Sequence, residues 1–193
     1  MKSESMNNML IGGITGESII NQILHQYGRK FYKNIYLKNA FDSICQIDFL
    51  VVSDNSLISI EVKNYQRCAI KGDVDSSYWT ACYLDRNRSL YNPVKQNRKH
   101  IDILRDVVDV QPLQCFSFIV FTPDCKLFVK RDPNETTRII YANELYYELC
   151  SVGSGEKQYN DKTRNKIIDT LDAFDTNMYN LSIEHQKYFN KKR

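Results

Sequence analysis

The sequence predicts an α/β sandwich in which helices flank a mixed sheet. Along the 193 residues, an amphipathic helix is followed by three strand-like segments, a second helix, a further strand and then mostly helix. In addition, residues 115–122 are almost continuously apolar, which is typical of a strand covered on both faces. Helices and strands in this order favour layers of helix packed on one sheet.

The elements of the N-terminal half are marked by their periodicity and by turn residues. A helix is predicted after Gly16, because apolar residues follow helical spacing up to Tyr27 and Gly28 can end the helix. Residues 68–84 are expected to be irregular or short-stranded. Strands are predicted over residues 31–38, 44–52 and 57–65.

The C-terminal half is predicted to alternate helices with short strands. A helix should begin at Asn92-Pro93, since Asn is a good N-cap and Pro suits the first helical position, and should end at Pro112. A long amphipathic helix is expected from Asp161 onward, and its apolar stripe packs either on the sheet or on another subunit. The stripe consists of Ile167, Ile168, Leu171, Phe174 and Met178. The elements between them are predicted as strands at 126–130 and 138–141, a helix at 143–150 and a linker at 151–156.

The composition is that of a folded protein in a reducing compartment. Lys and Arg total 26 against 23 Asp and Glu, and this net charge of +3 neither requires nor excludes a nucleic-acid partner. No apolar run approaches the roughly 20 residues that span a bilayer, and the polar N-terminus lacks a signal-peptide core. The six cysteines form no C-x-x-C pair and are expected to be small buried residues. We therefore expect a cytoplasmic protein without a membrane partner.

The second and third strands form a predicted hairpin whose register brings acidic side chains together. A turn over residues 53–56 places Asp48 directly opposite Glu61, and Gln46 opposite Lys63. Because opposite side chains share a face, one face should hold these polar residues. The other face is predicted to be apolar and to contain Ile47, Phe49, Val51, Ile58, Ile60 and Val62.

Two facing carboxylates on a sheet point to a cation. They repel each other, so a partly buried pair needs a proton or a metal ion, and Mg²⁺ prefers one or two carboxylates together with water and phosphate oxygens. Lys63 lies two residues beyond Glu61 on the same face and could polarise a water or stabilise a developing oxyanion. The alternative is an exposed sheet face with an ordinary Glu–Lys pair.

Four segments together resemble the nuclease-related (NERD) domain of the PD-(D/E)XK nuclease superfamily. The resemblance covers roughly residues 11–122, includes Trp79, and lacks a Pro before Asp48. It implies a restriction-endonuclease-like core with a mixed central sheet flanked by helices, followed by a C-terminal helical extension. The four segments are Gly16-Glu17, Gln46-Ile47-Asp48, Glu61-Val62-Lys63-Asn64-Tyr65 and Asn92-Pro93-Val94-Lys95-Gln96-Asn97.

The resemblance also implies a role for each matching residue. Asp48 and Glu61 would coordinate Mg²⁺ or Mn²⁺, and Lys63 would be the catalytic lysine. Glu17 would be a further acidic and metal-binding residue, and Gln96 a polar catalytic residue supplied by the later helix. For Glu17 the alternative is a first-turn Glu that the helix dipole favours, and for Gln96 it is an ordinary polar helix position.

The implied function is that of a metal-dependent nuclease that hydrolyses phosphodiester bonds, with DNA favoured over RNA by the resemblance alone. Residues 1–150 would form the nuclease domain, and residues 151–193 a linker and a helix that packs on the core or on another subunit. Two alternatives stay open. One is an inactive module of the same fold that binds nucleic acid or a partner protein, and the other is an assembly protein that oligomerises through the C-terminal helix.

Basic and aromatic residues near these segments are candidates for nucleic-acid contacts. A solvated charged face is the alternative for each of them. Of the three histidines, only His100 lies near the predicted site, in a structural or phosphate-facing position. The candidates are Lys95, Arg98 and Lys99 on the second helix, and Arg67 and Tyr65 after the third strand.

Overall fold

The computed structural model describes residues 16–111, 113–130, 136–153 and 159–190. The polar N-terminus, Pro112 and the last part of the predicted linker lie outside these ranges. No helix within them is long and apolar enough to cross a membrane. The elements are α1 Gly16–Tyr27, β1 Lys30–Lys38, β2 Ile44–Val52, β3 Leu57–Lys63, β4 Cys68–Asp73, β5 Tyr78–Cys82, β6 Asn87–Tyr91, α2 Pro93–Val108, β7 Cys115–Phe121, β8 Cys125–Lys130, β9 Thr137–Tyr141, α3 Leu145–Gly153, α4 Asp161–Thr176 and α5 Met178–Asn190.

A five-stranded mixed sheet forms the centre of the molecule. Its strand order is β1-β2-β3-β7-β9, with antiparallel β1–β2 and β2–β3 pairs and parallel β3–β7 and β7–β9 pairs. Helices α1 and α3 pack on one face, and α2 and α4 pack on the other. Every residue of β7 is buried, as its continuous apolar sequence predicts for a strand covered on both faces. The predicted mixed sheet with flanking helices is confirmed.

Helix α2 begins where the sequence predicts and ends earlier. The side chain of Asn92 accepts a hydrogen bond from the Val94 N–H at 2.9 Å, and Pro93 occupies the first helical position. The helix ends at Val108, because Asp109 adopts a left-handed conformation with φ of 45° and its N–H bonds back to Arg105. The predicted end at Pro112 is therefore too late.

A second, four-stranded sheet was not predicted. Its order is β6-β5-β4-β8, and it packs on the α2 side of β7 and β9. Trp79 of β5 is 1% exposed and stacks on Phe121 of β7, with ring centroids 6.4 Å apart. Each of these strands has only five or six residues and few inward positions, so the alternation that marks a strand is short.

The close approach of β4 to Trp79 explains the glycine at position 72. A Cβ on Gly72 would lie 2.3 Å from Cγ of Trp79, so an added methyl group must displace the indole. Overpacking of this kind costs about 1–3 kcal/mol, and we expect Gly72→Ala to lower the free energy of unfolding by that amount. Urea unfolding measures it, with Ser89→Ala, an exposed position on the same sheet, as the matched control. Equal midpoints for the two variants would contradict this packing argument.

The C-terminal segment forms two helices rather than the predicted single helix. The break lies at Asn177, whose N–H bonds to the Phe174 carbonyl three residues earlier and whose carbonyl accepts from the N–H of Leu181. Helix α4 packs on β1, where the Tyr32 hydroxyl donates to Asp172 at 2.7 Å. The C-terminal helices thus pack on the central sheet of their own chain, while the predicted division at residue 150 stays a prediction.

Candidate active site

The hairpin of β2 and β3 has the predicted register but stops short of the acidic pair. Its ladder runs from Val52↔Leu57 to Phe49↔Ile60. At the next position the Asp48 carboxylate accepts the Val62 N–H at 2.8 Å. A hydrogen bond to the Asp48 side chain therefore replaces the backbone hydrogen bond that would continue the ladder. The polar residues of the site lie at this end of the hairpin.

An irregularity in β1 and β2 aims Asp48 into this region. Asn34 of β1 has a φ of 54°, and the Asn34–Asp48 pair is missing from an otherwise continuous ladder. Beyond it the strand changes face, so that Ile47 packs on the α2 side while Phe49 and Val51 pack on the α1 side. The predicted apolar face that joined Ile47 to Phe49 is therefore wrong. Irregular pairs of this kind re-aim side chains at functional sites.

Lys63 and Gln96 form one polar cluster around the buried Glu61 carboxylate. The Lys63 ammonium lies 2.6 Å from Oε1 of Glu61 and donates to Oε1 of Gln96 at 3.1 Å. Glu61 is only 3% exposed, so this Glu–Lys pair is not the exposed surface pair that the sequence left as an alternative. Helix α2 supplies Gln96 to a site that β3 carries, as the resemblance implies.

The pKa values of both carboxyl groups in the cluster are raised, because one lysine does not offset the cost of taking two carboxylates out of water. Burial raises the pKa of Glu61 to about 7, the Lys63 ammonium opposes this rise, and the Asp48 carboxylate adds to it. Burial also raises the pKa of Asp48, against the Val62 hydrogen bond and the Lys63 charge, and Glu17 raises it further. The charge of one lysine thus acts on one buried and one half-buried carboxyl group, an arrangement that a divalent cation would stabilise.

His100 completes the buried side of the cluster. It follows Gln96 by one helical turn on α2, and its Nδ1 lies 3.6 Å from Oε2 of Glu61. These two atoms are buried and have no hydrogen-bond partner among the described residues. Burial and the Lys63 charge lower the pKa of His100 to about 4, so the imidazole is neutral at pH 7. Its spacing from Gln96 was the only signal of this position in the sequence.

A buried hydrogen-bond network fixes α2 against the sheet. The Asn97 amide donates to the Ser59 carbonyl at 2.9 Å and to the Ser117 hydroxyl at 3.0 Å, and it accepts from the Ser59 hydroxyl. Asn97 and Ser59 are fully buried, so these bonds cannot be replaced by water. The network sets the height of Gln96 and His100 over β3, and sequence reasoning gave no role to any of its three members.

Glu17 lies at the edge of the site. Gly16 packs so closely on Thr122, the residue after β7, that a Cβ there would lie 2.7 Å from Cγ2 of Thr122. This contact brings the start of α1 to this end of the sheet. The Glu17 carboxylate pairs with Lys33 at 3.3 Å and its side chain is 46% exposed. Within residues 16–111, 113–130, 136–153 and 159–190, no three His, Cys, Asp or Glu side chains form a metal-binding group. Glu17 is close enough to Asp48 to raise its pKa, but it does not form a three-residue metal-binding group with Asp48 and Glu61.

The structure places the predicted nucleic-acid contacts in different surroundings. Lys95 bonds to the Asp75 carbonyl at 2.6 Å, and the Lys99 ammonium lies 5.0 Å from the centroid of the Tyr91 ring. Arg98 and Arg67 are exposed. Tyr65 is partly buried against the core under the second sheet, and its contact with nucleic acid stays a prediction.

A cavity of about 800 Å³ opens beside the cluster. Asp48, Gln96 and His100 line it at the site, and His185 and Tyr188 of α5 form part of the opposite wall. Sequence reasoning placed neither α5 residue near the site, because only the tertiary packing of the C-terminal helices brings them there. A cavity of this size matches the volumes of small-ligand clefts.

The donor set of the cluster fits a hard divalent cation. Asp48 and Glu61 supply carboxylate oxygens, and Oε2 of Glu61 is buried without a hydrogen-bond partner among the described residues. Mg²⁺ commonly takes one or two protein carboxylates and completes its shell with water and phosphate oxygens. The two carboxylates are therefore of the ligand type that such an ion prefers.

The fold and the cluster together define a nuclease-like α/β protein. The model of the nuclease-related domain (NERD) family matches residues 12–122, which is more than half of the chain, and the chain belongs to this family. The predicted membership and fold class are confirmed. An uncharacterized protein of Bacillus anthracis is 25% identical over 183 residues, which cover 93% of this chain and 84% of that protein. That match extends past residue 122 into the C-terminal helices. No solved structure matches the chain.

Proposed function

We propose that this NERD-family protein is a divalent-metal-dependent nuclease that hydrolyses phosphodiester bonds in DNA. The observation that carries the proposal is a polar cluster of two carboxylates and one lysine. The buried Glu61 carboxylate pairs with Lys63, and the half-buried Asp48 carboxylate, held by the Val62 N–H, lies within reach of the same positive charge. A cluster that only stabilised the fold would be better built from apolar residues, because buried charges cost free energy even when they are paired. The placement of these ionisable groups at buried and half-buried positions therefore supports a chemical role.

Asp48 and Glu61 are the proposed ligands of Mg²⁺ or Mn²⁺, while Glu17 lies near enough to Asp48 to act on it through charge. When bound, such an ion lowers the pKa of a coordinated water and offsets negative charge on the scissile phosphate. The Val62 N–H holds one oxygen of Asp48 in place at 2.8 Å. This hydrogen bond orients the carboxylate without supplying a charge of its own.

Lys63 is the proposed source of positive charge toward the reacting phosphate. Glu61 and Gln96 hold its ammonium at 2.6 and 3.1 Å, so the charge is positioned before substrate arrives. Preorganised donors of this kind stabilise charge that develops in the transition state. The neutral imidazole of His100 closes the buried side of Glu61 and adds no competing charge there.

A cytoplasmic setting fits this proposal. All six cysteines are free thiols, four of them buried, which suits a reducing compartment. We keep a homo-oligomer formed through the C-terminal helices as a further proposal, to be settled by measuring the molar mass in solution. Ile167 and Leu171 of the predicted apolar stripe are buried against the central sheet of the same chain, so they are not available to an oligomer interface.

The test is cleavage of linear, circular and single-stranded DNA, and of RNA, by the purified full chain with Mg²⁺ or Mn²⁺. We expect metal-dependent cleavage of DNA that EDTA stops and that Asp48→Asn lowers by at least about 100-fold. Asp102→Asn removes an exposed carboxylate from the same cavity and should leave the rate unchanged.

Three other results would point elsewhere. Cleavage by Asp48→Asn at the wild-type rate would remove Asp48 from the mechanism. Metal binding without cleavage of any substrate would favour the inactive binding module. A protein that neither binds metal nor cleaves any substrate would contradict the metal site itself.

A further inference from the structure

The outer face of the second sheet carries a row of side chains that runs across all four strands. Thr80 of β5 pairs with Ser89 on one side and with Lys71 of β4 on the other, and Lys71 pairs with Phe128 of β8. Residues that are directly opposite in a sheet share a face. Lys71 and Phe128 are both exposed, and Phe128 retains 60% of its surface.

Two further pairs extend this face. Tyr78 and Tyr91 are opposite each other on β5 and β6, with ring centroids 5.9 Å apart and an edge-to-face geometry, and Tyr78 is 63% exposed. Lys126 and Lys130 flank Phe128 on β8 and point outward with it. We call Lys71, Tyr78, Tyr91, Lys126, Phe128 and Lys130 the outer face.

The charge of the outer face is strongly one-sided. Among the outward strand residues of this sheet, all within the described part of the chain, Lys71, Lys126 and Lys130 stand against a single carboxylate, that of Asp73. Asp73 lies 3.7 Å from Lys130, whose side chain is 86% exposed. Exposed aromatic rings are unfavourable in contact with water, and a patch of them marks a binding surface. Aromatic rings between lysines suit a polyanion that also carries flat rings.

The outer face is continuous with the candidate active site. Tyr91 belongs to the outer face and also lines the cavity that Asp48, Gln96 and His100 open into. The Lys99 ammonium, which lines the same cavity, lies 5.0 Å from the centroid of the Tyr91 ring. Aromatic and basic groups therefore follow one another from the outer face to the cavity that Asp48 lines.

We propose that the outer face binds single-stranded DNA and leads it past Tyr91 into the active-site cavity. The proposal rests on the proposed nuclease function, because the strand it holds is the substrate of that site. Lysines along the face meet successive phosphates, and Phe128 and Tyr78 offer ring faces on which bases stack. A duplex keeps its base faces inside its own stack, so the exposed aromatic rings favour a single strand.

The experiment measures binding of a labelled oligothymidylate of about 16 nucleotides to the full chain in EDTA, over a range of salt concentrations. The triple variant Lys71→Ser, Lys126→Ser, Lys130→Ser should bind at least about tenfold more weakly, with a salt slope smaller by about 2, from roughly 0.7 per lost phosphate contact. Phe128→Ser should weaken binding at least about fivefold and leave the salt slope unchanged. The control removes three exposed lysines from α4 and α5, Lys162, Lys166 and Lys187, and should change the affinity less than twofold.

The outcomes separate this inference from the proposed function. A cleaving wild type whose affinity and KM are the same in all variants overturns the inference and leaves the nuclease proposal intact. Tighter binding of a matched duplex, with no effect of Phe128→Ser, also overturns it. The expected binding pattern in a protein that cleaves nothing supports the outer face and contradicts the nuclease. With both correct, the triple variant raises KM and leaves kcat unchanged, since Asp48, Glu61 and Lys63 are untouched.

Discussion

Replacing Lys63 with methionine is expected to lower kcat for DNA cleavage by about 100- to 1,000-fold. The Lys63 ammonium is the positive charge that Glu61 and Gln96 hold at this end of the sheet, and its side chain is only 17% exposed. Methionine keeps an unbranched apolar stem that extends as far as Cε of lysine, and it lacks the ammonium group. The fall should therefore appear in kcat under saturating DNA, with binding of the single strand in EDTA unchanged.

Lys95→Met is the matched control for this prediction. Lys95 lies beside Gln96 on α2, but its ammonium bonds to the Asp75 carbonyl at 2.6 Å rather than to the cluster. Its kcat should stay within about threefold of the wild type. Because Lys63→Met also removes the ion pair of Glu61, metal affinity is measured separately by calorimetry. A kcat for Lys63→Met equal to that of Lys95→Met, at saturating metal, would show that the reaction does not use this charge.

The central sheet and its hairpin could be predicted because their signals are local and repeated. The turn over residues 53–56 fixes the register, and four ladder pairs of β2 and β3 follow it. The face of Ile47 could not be predicted, because the change of face depends on the left-handed conformation of Asn34 on the neighbouring strand. Asn tolerates that conformation, yet most Asn residues do not adopt it, so the sequence alone gives no warning.

The second sheet and the walls of the cavity could not be predicted, because they depend on contacts between segments that are distant in sequence. Strands β4, β5 and β6 are too short for their alternation to stand out, and Trp79 becomes informative only once it is stacked on Phe121. Glu61, Lys63 and Gln96 contact one another, and the Val62 N–H holds Asp48 at the same end of the hairpin, while their catalytic roles stay a prediction. Tyr91, His185 and Tyr188 reach the cavity through packing that no spacing in the sequence encodes. Glu17 stays at the edge because Lys33 pairs with it.

Glu61→Gln is expected to stabilise the metal-free protein at alkaline pH while it removes metal-dependent cleavage. Burial raises the pKa of Glu61 to about 7 in the folded state, from an ordinary value of 4.5 in the unfolded chain. Between these values the folded protein holds a proton that the unfolded chain releases, so the stability contribution is largest below pH 4.5 and is lost as pH rises through 7. Glutamine does not titrate, and the variant should be more stable at pH 8 by up to about 3 kcal/mol.

Metal reverses this order and so links the stability of the site to its function. Mg²⁺ bound by the native wild type stabilises it according to concentration and affinity, while the glutamine variant lacks one carboxylate and gains less. Urea unfolding at pH 5 and pH 8, with and without Mg²⁺, measures both effects, and Glu184→Gln, an exposed carboxylate paired with Lys38, is the control. A Glu61→Gln protein less stable than the wild type at pH 8 in EDTA would contradict the argument. Without metal, the buried Glu61 carboxylate lowers the free energy of unfolding. A bound cation offsets this loss, and the proposed phosphodiester hydrolysis uses the same charged carboxylate.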